Sequence, residues 1–237
     1  MPIHRSIINF FQTALFVCLL AVAAPVVGQR AVVVDERLAA LRDEPDLSAN
    51  LLQRMSRGRV VFVRGVKRSP DGVTFYRVMV TRRTGGWVQS EAVVSPARRE
   101  DEARLLRLIQ SSEDFDRLVR ARIFLDVFTR SSLRSAVLML LGDEAERSAA
   151  KLSRDATRRL DEKEMAAGGA PVFSYFLNFN GLDRYRRQGV AFIFDRAAKQ
   201  FHYDGAAWRE VLRRHPRSPE ADEARKRLAA LAAVAAR

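Results

Sequence analysis

Few residues in this chain could perform covalent chemistry. Downstream of residue 28 there are two histidines, His202 and His215, and no cysteine, because Cys18 is the only one in the sequence. His202 stands two residues before Asp204, and with a serine the pair could form the proton relay of an acyl-transfer enzyme. Such relays depend on geometry rather than closeness in sequence, so a histidine and an aspartate in a turn is the simpler reading. His-Glu-x-x-His, Gly-x-Ser-x-Gly, Gly-x-Gly-x-x-Gly and the phosphate-binding Gly-x-x-x-x-Gly-Lys pattern are all absent. The carboxylate pairs Asp43/Glu44, Asp101/Glu102 and Glu113/Asp114 fall where helices should begin, where the helix dipole favours negative charge. Nothing sets two of them across a cleft, as glycosidase chemistry requires. The residues therefore call for no catalytic group, metal or cofactor.

Recognition chemistry is better represented. Residues 57–99 carry ten basic side chains against two acidic ones, more than half of the chain's net charge of +13. Within them, Phe75, Arg77, Arg82 and Trp87 combine aromatic and cationic character. Strand alternation puts Phe75 and Arg77 on one face and Tyr76 on the other, so an outward Phe75 would have a cation beside it. That combination suits an anionic, partly apolar ligand, and the four residues are the expected ligand-binding set.

The elements that must carry these residues follow from hydrophobic period. From Asp46 to about Ala97 the period is two: a strand at 59–64, a polar turn at 67–72, a longer strand at 73–82 and a further strand from Trp87. Gly85-Gly86 is expected to make the tight turn before Trp87 through positive φ. From Asp101 the period becomes 3.6, with Phe115, Leu118, Ala121, Leu125 and Phe128 on one face. Ala166 to Pro171 interrupts this pattern, and the aromatic-rich segment 173–182 is expected to bury itself against the bundle. Helices should resume at Leu182, with Tyr185, Val190, Phe192, Ile193 and Phe194 on the apolar side, before a turn at 202–205.

The N-terminus predicts an address. A short basic start is followed by an apolar stretch, and Val26-Val27-Gly28 supplies the small residues of a cleavage site, so residues 1–28 read as a signal peptide cut after Gly28. An uncleaved anchor is the alternative, and it would be the chain's only link to a membrane. Residues 29–45 read as a linker with a short helix. Without cysteines the mature chain must fold by packing alone, and a periplasmic or secreted bacterial protein fits this better than a disulfide-built extracellular domain. At 237 residues, 48% hydrophobic and 29% charged, the chain is long enough for a real core.

Two stretches resemble known families. Leu51 to Val60, Phe75-Tyr76-Arg77-Val78 and Thr84-Gly85-Gly86-Trp87-Val88-Gln89-Ser90-Glu91-Ala92-Val93 together resemble a bacterial SH3-like domain over residues 46–97. Trp208 to Leu228, with Pro216, Ser218, Pro219, Ala221 and Ala224, resembles a tetratricopeptide-like helical hairpin, in which Ser218 would cap the second helix. Residues Phe124 to Leu141 echo the same layout with Phe128 opposite His215. The resemblances imply an α+β multidomain chain, a small SH3-like β-barrel at 46–97 followed by an α-helical tetratricopeptide-like module at 101–237. They also imply a non-catalytic scaffold of the cell envelope, docking on peptidoglycan or on a protein partner. Export argues against nucleic acid as a partner. A secreted hydrolase, or an accessory subunit of a cell-wall enzyme, is the alternative.

Overall fold

The computed structural model describes residues 28–235, so the expected signal segment falls almost entirely outside the described residues. The chain is α+β. Seven strands, β1 (Gln29–Val33), β2 (Ala40–Arg42), β3 (Leu51–Arg54), β4 (Val60–Arg68), β5 (Thr74–Met79), β6 (Gly85–Gln89) and β7 (Val93–Val94), form one antiparallel sheet. Its order is β3-β2-β6-β5-β4-β1-β7. Among the described residues the expected closed barrel is not formed, because β3 and the two-residue β7 remain as separate edges.

The segment 29–45 is not a linker with a short helix but supplies two strands of the sheet. Val32-Val33-Val34 explains why. Ala31 and Val33 point into one core, with Leu41, Val61, Val78 and Val88, while Val32 and Val34 point into another. A strand buried on both faces reads as an unbroken apolar run and gives no alternation to detect.

Three successive helices follow the sheet: α1 (Arg99–Gln110), α2 (Asp114–Val127) and α3 (Arg134–Arg159). After them come short helices α4 (Glu162–Gly168), α5 (Val172–Leu177) and α6 (Asp183–Arg186), then a hairpin of β8 (Phe192–Asp195) and β9 (Gln200–Tyr203), and finally α7 (Ala206–Arg214) and α8 (Ala221–Ala235). Each of α1, α2, α3, α7 and α8 packs on the next, and the β8–β9 hairpin lies on α3. The expectation of a helix through Phe192–Phe194 is corrected: Phe192 and Phe194 turn toward the core while Ile193 is exposed, a period of two. Asp195 Oδ1 accepts from the amides of Ala197 and Ala198 and shapes the turn between the strands. Phe176 and Phe179 are buried, as the aromatic-rich segment predicts, and Phe194 stacks on Phe176 with ring centres 4.9 Å apart.

The first helix of each helical pair ends at the positions aligned in the sequence, Phe128 after α2 and His215 after α7. The expected cap on α8 is not made: the Ser218 hydroxyl is buried without a hydrogen-bond partner, and the helix begins at Ala221.

The 97–101 boundary separates kinds of element, not cores. Val32, Val34 and Val94 of the sheet share one apolar cluster with Leu105, Ile109, Leu118 and Phe124 of the helices. Polar ties reinforce it. Buried Arg120 donates from Nε to the Val34 carbonyl (3.2 Å), and Arg57 makes a two-pronged contact with Asp116 (2.7 and 3.1 Å).

Candidate ligand-binding face

Helices cover only part of one sheet face. Around Val32, Val60 and Val94 that face is packed under α1 and α2, but one register step further along, it is open. The cross-strand pairs define what it presents. Phe62 on β4 lies between Arg30 on β1 and Met79 on β5, and Met79 pairs with Gly85 on β6. In the next row Trp87 on β6 lies between Arg77 on β5 and Arg42 on β2, and Arg42 pairs with Leu51 on the edge strand. Phe62 is 43% exposed and Leu51 47%, Trp87 and Met79 are half-buried, and Arg30 and Arg77 are exposed. Among the described residues of these two rows none is acidic.

The two glycines before Trp87 serve this face in an unexpected way. The turn closes earlier, with the Val80 and Thr81 amides donating to the Thr84 carbonyl, and Gly85 and Gly86 are already β6 residues without positive φ. A Cβ on Gly86 would meet the Arg42 carbonyl at 2.5 Å, and one on Gly85 would meet Met79 Sδ at 2.6 Å. The glycines let β2 and the Met79 thioether approach closely, and so set the spacing of the rows.

Of the four expected ligand-binding residues, the structure brings Arg77 and Trp87 together as direct register partners. Arg82 is exposed in the 80–84 turn, off both rows. Phe75 is a correction: although it shares a strand face with Arg77, it is fully buried and cannot meet a ligand. Its register partners are Lys67 and Gln89. The exposed aromatic beside the cations is Phe62. The bulge in β4 between Val63 and Gly65 shifts the register relative to β5, so counting along β5 alone does not reveal it. Arg30, Arg42 and Leu51 were hidden because the first strands carry no readable alternation.

His202, Asp204 and Asp101 each tie neighbouring elements together. His202 Nδ1 lies 3.0 Å from Glu146 Oε1, and the other Glu146 oxygen accepts from the Tyr203 amide (2.7 Å), which ties β9 to α3. Asp204 accepts from the Ala206 amide (2.9 Å) at the start of α7 and does not face His202 as a relay partner. Asp101, first of a suggested acid pair, is fully buried and receives the Ser95 amide and the Arg104 guanidinium. Among the described residues no group of three or more His, Cys, Asp or Glu could hold a metal ion, and no helix is long and apolar enough to cross a membrane. Comparison with protein-family models, with curated proteins and with solved structures finds no match for this chain.

Proposed function

We propose that this protein is a non-catalytic, exported binding protein of the bacterial cell envelope, whose sheet face docks an anionic, partly apolar ligand. One observation carries the reading: Phe62, Met79, Trp87 and Leu51 share an uncovered sheet face with Arg30, Arg42 and Arg77, and no acid interrupts them. Aromatic and arginine side chains together are the types that dominate binding energy at interfaces. The ligand we favour is peptidoglycan, whose stem peptides set carboxylates beside small apolar side chains; an acidic protein segment has the same chemistry.

In this reading the sheet unit is an open SH3-like module, and the α2/α3 and α7/α8 pairs are tetratricopeptide-like hairpins that hold a protein partner. The β4–β5–β6 meander ending in Gly-Trp-Val supports the first, and the matching helix ends at Phe128 and His215 support the second. A periplasmic or secreted location rests on the leader-like residues 1–28, and β1 begins at Gln29, directly after the expected cleavage position.

Co-sedimentation with purified peptidoglycan at low and high salt tests the proposal. Retention should fall with salt, and the double variant Arg77→Ala/Trp87→Ala should retain at least about tenfold less. Retention that the double variant leaves unchanged would remove this face from the binding site.

A further inference from the structure

The other face of the sheet holds a separate feature that does not depend on the docking reading. Beyond Ala31, Val61, Val78 and Val93 the inner core gives way to a cavity of about 350 Å³ at the start of α1. Its apolar walls are Ala31, Val63 and Val93 with Tyr76; Val66, 66% exposed, lies at its rim, and Arg64 and Arg98 also line it.

The charges around it are unequally satisfied. Asp101 lies fully buried at the cavity, but its carboxylate is already occupied: Oδ2 accepts from the Ser95 amide (2.8 Å), and Oδ1 accepts from Arg104 Nη2 (3.0 Å) and Nε (3.2 Å). Arg98 stands off at 3.5 Å from the same oxygen. Its other ion-pair partner is Glu100, whose side chain is 67% exposed, a pairing that water screens. Arg98 lies over the Tyr76 ring, 5.0 Å from its centre, and Nη1 donates to the Tyr76 hydroxyl. Tyr76 thus accepts from Arg98 and keeps its own proton to donate. Burial, the largest influence on the Tyr76 phenol, raises its pKa, so the hydroxyl stays a donor at neutral pH.

We propose that this cavity binds an aliphatic carboxylate, with the hydrocarbon on Ala31, Val63, Val66 and Val93 and the carboxylate on Arg98 and the Tyr76 hydroxyl. The volume is at the lower end for ligand sites, room for a few carbons rather than a lipid tail. A free short-chain acid and the terminal carboxyl of an apolar residue in a peptide both present this chemistry.

The test is titration of the protein, with labelled valine methyls, by hexanoate and by its neutral isostere hexanamide. N-acetyl-alanyl-valine and its C-terminal amide form the peptide arm. Hexanoate should shift the Val63, Val66 and Val93 methyls and bind about tenfold more tightly than hexanamide. Arg98→Gln should abolish that preference. Tyr76→Phe, which keeps the ring, should weaken the acid about threefold and provides an independent check if the arginine variant does not fold. Trp87→Ala should change none of this, which separates the cavity from the docking face. Tighter binding of the peptide acid than of hexanoate would assign the peptide source, and the reverse the free acid. Equal binding of acid and amide, or no shift at the Val63, Val66 and Val93 methyls, would overturn the proposal.

Discussion

The guanidinium of Arg120, on α2, donates to the backbone carbonyl of Val34 at the end of the first strand, 3.2 Å away, and both residues are buried. A second donor, Nη1, reaches the Ser112 hydroxyl at 2.5 Å. Burial is the main influence on this arginine and lowers its pKa, so it stands in a dry seam between sheet and helices. Replacement by alanine leaves both acceptors without a donor and opens a gap. We expect Arg120→Ala to lower stability by about 3 kcal/mol, measured by urea unfolding. Because the core is continuous, sheet and helix signals should still disappear in one transition; two separate transitions would show that the units are independent.

Phe75 and Trp87 should behave in opposite ways. Phe75→Ala removes a fully buried ring and should cost about 3–5 kcal/mol. Trp87→Ala, on the half-buried open row, should leave most of the stability intact and act on peptidoglycan retention instead. Thermal unfolding of the two variants side by side distinguishes them, and a Phe75→Ala protein as stable as the parent would contradict the burial.

Gly86→Ala tests the close approach of β2 to β6. The residue has no positive φ to relieve, so any loss arises from the contacts of the new Cβ with the Arg42 carbonyl at 2.5 Å and the Leu41 side chain at 2.9 Å. A destabilisation of about 1–3 kcal/mol is expected. An unaffected midpoint in urea would mean that the strands part without cost.

Tyr203 gives the chain an alkaline limit. Burial of its hydroxyl end pushes the phenol up to about 12, while the Ala207 amide donating to it acts in the opposite direction. The unfolded chain releases this proton near pH ~10, so the stability is whole below that pH and declines as pH rises toward about 12. The loss should be on the order of 2 kcal/mol. Tyr203→Phe, compared with the parent by urea midpoint across that range, should show the flatter profile.

Asp35 acts at the other end of the scale. Hydrogen bonds from the Arg37 side chain, at 2.9 and 2.5 Å, are the largest influence and hold its carboxyl below the usual range, against the opposing effect of burial. A depressed folded pKa contributes stability above about pH 4 that is lost as pH falls through the folded value. Asp35→Asn should therefore flatten the acid side of the stability profile below about pH 4.

Much of the architecture could be read from period alone, because α1 and α7 each bury one face and leave the other wet. β1 could not, since Ala31 to Val34 are buried on alternate sides by two different cores. The β8–β9 hairpin was missed for another reason: Phe192-Ile193-Phe194 is too short an apolar run for period to separate strand from helix. On the open sheet face, Arg77 and Trp87 were legible from alternation. Phe62 was not, because a bulge displaces its register, and neither was the burial of Phe75, since alternation places it on the same face as exposed Arg77.

The place of β1 between β4 and β7 has a consequence for how the chain acquires its shape. Val32 pairs with Val60 and with Val94, so the first of the described strands is completed by a partner about sixty residues later. Until that partner emerges, the nascent sheet lacks one of its ladders and the helices have no finished surface to dock on. A molecule wired in this order cannot close its sheet until about two fifths of the chain has been made.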